Sequence, residues 1–241
     1  GRGWWTPPAL IPAQQKPEHA DGYWNLGVAH GVPGVVGLYA SILAADAAGP
    51  GTEQMRTDLR EAVRFVVAHE RDEAPRYPWA VRSVAAAAPP SRTAWCYGDL
   101  GIALVLAKAA AVDPDPTNRA RVIRLAQECA RRSPQACQVR DAGFCHGAAG
   151  LAHGLNRLYQ ATADEVLAVA ARTWFTRLMS GRGARGLAGF PAWHEGRWRD
   201  DPTVLTGAAG VALSLIAATS HDAPQWDARF LADVPPLALA E

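Results

Sequence analysis

The segment GFCHGAAGLAHG, residues 143–154, decides how the rest of the chain is read. It places Cys145 and His146 directly before a spaced pair of glycines, and the glycine pattern recurs. HGVPGVVGLY begins at His30, YGDLGIALVL at Tyr97, HGAAGLAHGL at His146 and TGAAGVALSL at Thr206. Each copy is a leading residue, Gly, two residues, Gly, and then a run of small and apolar side chains. Inside a helix such glycines cost up to about 1 kcal/mol each relative to alanine. At a helix start they permit a tight turn and close approach of neighbouring backbones. Recurrence every fifty to seventy residues or so indicates repeated supersecondary units, each a loop entering a small-residue helix that faces a crowded interior.

Between the copies lie amphipathic segments. From Thr52, apolar residues fall at Met55, Leu59, Ala62, Val63 and Val66, which is helical spacing. After Pro116 the series is Val122, Ile123, Ala126, Cys129 and Ala130. Thr162 and Glu165 form a capping-box pattern ahead of Leu167, Ala171, Trp174 and Leu178. Arginines and acids occupy the opposite faces. Inner glycine-led helices therefore alternate with outer charged ones, an αα-hairpin repeat and an all-α fold. The connections, residues 1–24, 71–95 and 181–205, are rich in proline and tryptophan, and loops of this length on a helical scaffold shape openings. The last, through GFPAWHEGRWRDDP, alternates enough for a small hairpin. No domain boundary is evident, so residues 1–241 read as a single domain.

The bulk composition narrows the partners. With 49% hydrophobic residues, 20% charged residues and a formal net charge of +1, the chain lacks the basic surplus expected for nucleic acid or an anionic membrane. Its longest apolar run, Val204–Ala218, is interrupted by Thr206, Gly207, Gly210 and Ser214, so no transmembrane segment is expected. No signal peptide is evident, and the missing initial methionine suggests processing or a piece of something longer. Cys96, Cys129, Cys137 and Cys145 are too few and too uneven for a disulfide framework, which points to a reducing, cytoplasmic setting.

Taken singly, Cys145 beside His146 is weak evidence, because free cysteine is usually a buried core residue. Register strengthens it. Cys96 stands two residues before Gly98, and Cys145 two before Gly147. Stacked repeats bring equivalent positions together, so Cys96, Cys145 and His146 should meet at one mouth of the scaffold. Two sulfurs and one nitrogen suit zinc, and three protein ligands leave a fourth tetrahedral position open. His30 and Tyr97 fill the slot that His146 holds in its repeat. His30 is a candidate acid or base, or a loop residue satisfying a carbonyl. Arg92, four residues before Cys96, is a candidate for stabilising a developing enolate, or a solvated arginine. Cys129 reads as core, Cys137 as a weaker ligand candidate, and His153 as packing. Trp4, Trp5, Trp24, Trp79, Trp193 and Trp198 lie in loops, lining a groove or packing.

NLGVAHGVPG, RTAWCYGDLG and FCHGAAGLAHGL together resemble the lanthionine synthetase C-like family, the LanC cyclases of lanthipeptide biosynthesis. The resemblance runs from about residue 20 to the end, and WCYG followed by CHG is its specific signature. It implies an α/α toroid with zinc held by Cys96, Cys145 and His146. It implies His30 as the residue handling the proton at the α-carbon, with Arg92 and Tyr97 near the reacting centre. The implied reaction is Michael-type addition of a peptide cysteine thiol to dehydroalanine or dehydrobutyrine, giving (methyl)lanthionine. The substrate is then a dehydrated precursor peptide, with a dehydratase as a possible partner. Two departures stand out. The glycine-led units are fewer than in the family's closed ring, so the chain reads as a C-terminal portion of a longer one. Only Asp21 precedes His30, too close to match the aspartate that family members carry before AHG. An open half-ring would expose apolar inner faces. Alternatives within the same frame are addition of glutathione to dehydrated residues, a zinc-stabilised peptide-binding scaffold, and a toroidal glycoside hydrolase. The last lacks repeated acids in the loop register.

Overall fold

Each helix begins where a glycine loop or a short capping side chain ends. The computed structural model describes residues 3–11, 13, 20–45, 49–82 and 91–237. Parts of two long connections (1–2, 12, 14–19 and 83–90), together with His19, lie outside the described residues. Four glycine-led helices are α1 (Val32–Ala44), α3 (Asp99–Val112), α6 (Ala148–Thr162) and α8 (Ala208–Thr219). Between them come α2 (Thr52–Val67), α4 (Pro116–Arg131), the short α5 (Pro134–Cys137) and α7 (Glu165–Ser180). Side chains cap α4, α5 and α7, while α2 follows the left-handed Gly51 with no side-chain cap. Asp115 accepts from the Thr117 N–H at 2.8 Å, Ser133 from the Ala136 N–H at 3.2 Å and Asp164 from the Val166 N–H at 2.9 Å.

The expected capping box is displaced. Thr162 is the last residue of α6, where its hydroxyl donates to the Leu158 carbonyl at 2.7 Å. Asp164 caps α7 instead, and it wins because Thr162 is already held by the preceding helix. The two helices are thus joined by a two-residue turn, with Ala163 left-handed at φ 55°.

α1, α3, α6 and α8 pack in succession as an inner row, and α2, α4 and α7 cover α1, α3 and α6 from outside. The outer helices bury one stripe each: Leu59, Ala62, Val63 and Val66 on α2, and Val122, Leu125, Ala126 and Cys129 on α4. α3 is buried almost all round, from Asp99 to Ala110. The inner face is not left bare. Residues 226–237, beginning with a 3-10 turn at Trp226–Phe230, pack Trp226, Phe230, Leu231, Val234 and Leu237 into the main core. Buried polar groups tether this segment. Asp227 faces His153 Nε2 at 3.0 Å and Arg157 Nε at 3.2 Å, and Lys108 pairs with Asp233 at 2.6 Å. His153 thus packs, as its sequence context suggested.

Two small sheets sit at the loop end of the helices. β1 (Trp5–Thr6), β2 (Tyr23–Asn25) and β3 (Ala80–Val81) form an antiparallel sheet in which Trp24 faces both Trp5 and Val81. Strands this short carry no readable alternation, so this sheet was not legible beforehand. The expected hairpin is present as β4 (Ala192–His194) and β5 (Arg197–Arg199). Its turn residues Glu195 and Gly196 both have positive φ, 47° and 83°, the requirement of a type I′ turn. Among the described residues, no helix is long and apolar enough to cross a membrane.

Close approach explains the second glycine of each motif. A Cβ on Gly150 would overlap the Phe144 carbonyl oxygen, which is backbone and cannot swing away. Gly150→Ala should therefore lose roughly 3 kcal/mol or more of unfolding free energy, the range of severe steric lesions. Gly183 has open space around it, and Gly183→Ala should stay within about 0.5 kcal/mol. Urea unfolding of the two variants checks the contrast; equal losses would contradict it.

Candidate metal centre and active site

The four loops share more register than their glycines. Asn25, Arg92, Asp141 and Asp201 each stand six residues before the first motif glycine: Gly31, Gly98, Gly147 and Gly207. The short polar members fold the loop on itself. Asn25 Oδ1 accepts from the Gly27 N–H at 2.8 Å, Asp141 Oδ1 from the Gly143 N–H at 3.1 Å and Asp201 Oδ1 from the Thr203 N–H at 2.8 Å. Backbone carbonyls then satisfy the orphan N–H groups at the helix starts. The Ala148 N–H reaches the Asp141 carbonyl, and the Ala208 N–H the Asp201 carbonyl, both at 2.9 Å.

Equivalent positions are wired to one another. The Ala29 N–H donates to the Cys96 carbonyl at 3.4 Å, the Cys96 N–H to the Cys145 carbonyl at 3.3 Å, and the Cys145 N–H to the Leu205 carbonyl at 2.7 Å. One loop position from each of four repeats therefore lines up in a single hydrogen-bonded row. Two members of that row are cysteines. Their sulfurs and a ring nitrogen of His146 all lie within 4.8 Å of one another. Among the described residues, no other group of three His, Cys, Asp or Glu donors converges in this way.

The donor set fits zinc. Two thiolates and an imidazole match its preference, and tetrahedral ligands bonded at about 2–2.3 Å sit roughly 3.5–4 Å apart, within easy reach of this cluster. The thiols are also electrostatically differentiated. The hydrogen bond from Cys145, aided by His146 and Arg92, outweighs burial and brings Cys96 down to about 5. Cys145, as the donor beside an anionic sulfur, is pushed up. Cys129 and Cys137 are raised by burial, which at Cys137 outweighs the opposing Thr93 hydroxyl and Arg132. Cys129 lies fully in the core, and Cys137 is buried in α5, its sulfur 3.8 Å from the Arg132 carbonyl. Neither joins the cluster.

A cavity of about 580 Å³ opens over the cluster, walled by Ala29, His30, Trp79, Ser91, Arg92, Trp95, Cys96, Tyr97, Gln138, Cys145, His146 and Leu205. All six candidate residues, His30, Arg92, Tyr97, Cys96, Cys145 and His146, thus line one space. The His30 and Tyr97 rings lie 6.3 Å apart. Asn25 Nδ2 donates to the Tyr97 hydroxyl oxygen at 3.2 Å, which leaves the phenolic O–H free to donate onward. Burial raises the Tyr97 phenol, keeping it protonated near neutrality. Trp79 stands edge-on to Tyr97, with ring centroids 6.4 Å apart, and closes one wall.

Sequence reasoning missed Asn25, Asp141 and Asp201 as loop organisers, although their constant distance from the glycines was readable. It also missed Gln138 and Leu205 in the wall. Gln138 occupies a left-handed turn with no pattern to announce it, and Leu205 was hidden because its repeat carries no ligand. The second copy departs from the polar rule. Arg92 replaces the turn-forming Asx, and its loop is held from outside, by the Thr93 N–H on the Cys137 carbonyl at 3.1 Å and Arg132 on Thr93 Oγ1 at 2.6 Å. Arg132 also reaches Asp99 at 2.7 Å, at the start of α3.

A family model described as lanthionine synthetase C-like protein matches residues 11–231. Among solved structures, a chain titled Nisin cyclase superposes with a TM-score of 0.75 at 16% identity, over 95% of this chain and 55% of its own length. The chain thus spans about half the length of that solved chain. No curated protein matches it. The superposition supports the fold, an α/α toroid. With the family match extending over nearly all of the sequence, the chain belongs to the lanthionine synthetase C-like family.

Proposed function

We propose that the chain closes thioether rings in a dehydrated peptide, with Cys96, Cys145 and His146 as zinc ligands. The observation that carries this reading is the convergence of two cysteine sulfurs and one imidazole at the floor of a cavity whose wall holds His30, Arg92 and Tyr97. Cys96, Cys145 and His146 would hold the ion, which would supply there the Lewis acidity that favours the thiolate form of a peptide thiol.

The chain's own residues do the rest. Cys96 enters as a thiolate, so the site offers negative charge to a cation without first losing that proton. α3 and α6 begin within three residues of Cys96 and Cys145, and their N-terminal dipoles favour anionic sulfur. The cavity confines the peptide so that the thiol faces the alkene β-carbon of dehydroalanine or dehydrobutyrine. Sulfur bonds to that carbon, the alkene pair moves onto the α-carbon and its carbonyl, and an enolate results. Arg92 and the Tyr97 O–H, both in the cavity wall, stabilise the enolate oxygen in this reading. His30 delivers the proton to the α-carbon, completing net addition of S–H across the double bond. The product is lanthionine or methyllanthionine. The reaction supplying the substrate must remove water from serine or threonine side chains.

Cys96→Ala and Cys145→Ala should each lose zinc and ring formation together, read by metal analysis and by thiol alkylation with mass spectrometry of a dehydrated peptide. His30→Ala should keep zinc and slow ring formation by about 10²–10⁴-fold, the usual share of general acid–base catalysis. Loss of metal from His30→Ala would contradict the assignment. Zinc bound with no acceleration of ring formation would favour the scaffold reading. In metal-free protein, Cys96 should alkylate with a midpoint near pH 5, since its thiolate persists above about 5 and is lost below. Cys145→Ala should move that midpoint upward by removing the stabilising donor, and an unchanged midpoint would show that the pairing does not set the charge.

A further inference from the structure

Positive charge is concentrated in one part of a nearly neutral chain. Residues 172–199 contain six arginines and a single acid, Glu195, while the whole protein carries +1. Three cations gather around one hollow. A groove of about 450 Å³ between α5, α7 and the β4–β5 hairpin is lined by Arg140, Arg177 and Arg185, with Trp174, Phe190 and Trp198. A second hollow of about 470 Å³ along α4 and α7 shares Pro134, Trp174 and Arg177 with it, so the two form one elongated track. Glu165 stands in the second hollow, and Asp141 in the first is engaged by the N–H groups of Gly143 and Trp193.

The arginines are presented rather than consumed. Among the described residues, Arg140, Arg177 and Arg185 have no carboxylate within ion-pair distance, unlike Arg60, Arg76 and Arg121 elsewhere, and unlike Arg132, which lines the second hollow and is paired with Asp99. Two are held by stacking: the Arg140 guanidinium lies 5.8 Å over the Trp193 ring, and that of Arg177 5.9 Å over the Trp174 ring. Stacking on a ring face limits side-chain freedom and leaves the edge N–H groups available for bidentate recognition of carboxylates.

The groove and the cavity lie on opposite sides of one short loop. Gln138 forms part of the cavity wall, while Val139, Arg140, Asp141 and Ala142 line the groove. We infer that this cationic, tryptophan-backed groove binds an acidic segment of the substrate peptide, outside the part that forms rings. The inference rests on the proposed peptide-cyclising function and identifies where the rest of that peptide lies. An extended chain covers about 3.3 Å per residue, so a few residues cross the loop from cavity to groove. A carboxylate-bearing peptide fits better than nucleic acid, because the chain as a whole carries only +1 and lacks the broad basic surface that a phosphate backbone calls for.

The test measures binding without turnover. Fluorescein-labelled oligoglutamate, oligoglutamine of equal length and a single-stranded RNA are titrated by anisotropy against the zinc-loaded full chain. Oligoglutamate should bind, should weaken as salt rises, and should bind at least about tenfold more weakly to the Arg140→Gln, Arg177→Gln, Arg185→Gln variant, with zinc content unchanged. A charge-reversed variant, Arg140→Glu, Arg177→Glu, Arg185→Glu, should instead gain binding to oligolysine, an outcome that misfolding cannot imitate. Equal binding of oligoglutamate and oligoglutamine, undiminished oligoglutamate binding by the glutamine variant, or tighter binding of RNA would overturn the inference. Ring formation intact without oligoglutamate binding would remove the groove alone. Oligoglutamate binding without ring formation would support the groove and count against the cyclase reading only.

Discussion

The backbone row Ala29–Cys96–Cys145–Leu205 is the constraint on which the rest of the structure depends. An N–H at the end of a buried loop needs a partner, and here each unit takes the carbonyl of its neighbour's equivalent residue. That exchange fixes the offset between adjacent αα pairs, and the glycines let the chains come close enough to make it. Residues separated by 49 positions or more in the sequence thereby become neighbours. The scaffold determines where the position lies, and the side chain there determines what it does. Ala29 and Leu205 hold the same backbone place as the two cysteines and bring no donor to the site.

Chemistry then separates four thiols that composition alone would treat alike. Burial raises Cys129 and Cys137, as it does for any acid whose anion would be stripped of water. Cys96 is comparably buried and yet falls, because Cys145 and His146 are placed to stabilise its anion. The difference is geometric and traces to the same row of hydrogen bonds. The surrounding wall is likewise positioned indirectly. Asn25, in β2, orients Tyr97 from a small sheet that is built at the loop end of the helices.

Much of this was readable from the residues. The glycine register located the starts of α1, α3, α6 and α8, and it paired Cys96 with Cys145 because repeated units must superpose. The stripes on α2, α4 and α7 were plain from their spacing. What escaped had physical reasons. Strands of two or three residues are too short to alternate. Thr162 looked like a cap but was already satisfied by Leu158 at the end of α6. The C-terminal segment lacks periodicity, so its role in covering the inner row through Asp227, His153 and Arg157 shows only in three dimensions. Gln138 enters the cavity from a loop whose path no local pattern dictates, whereas Trp79, read as a groove-lining or packing loop tryptophan, does stand in the wall.

The most direct test of the central claim is X-ray absorption at the zinc edge of the metal-loaded chain. The account predicts two sulfur neighbours at about 2.3 Å with nitrogen or oxygen completing four. A spectrum with no sulfur neighbours, or with only one, would show that the aligned loops do not gather these side chains around one ion.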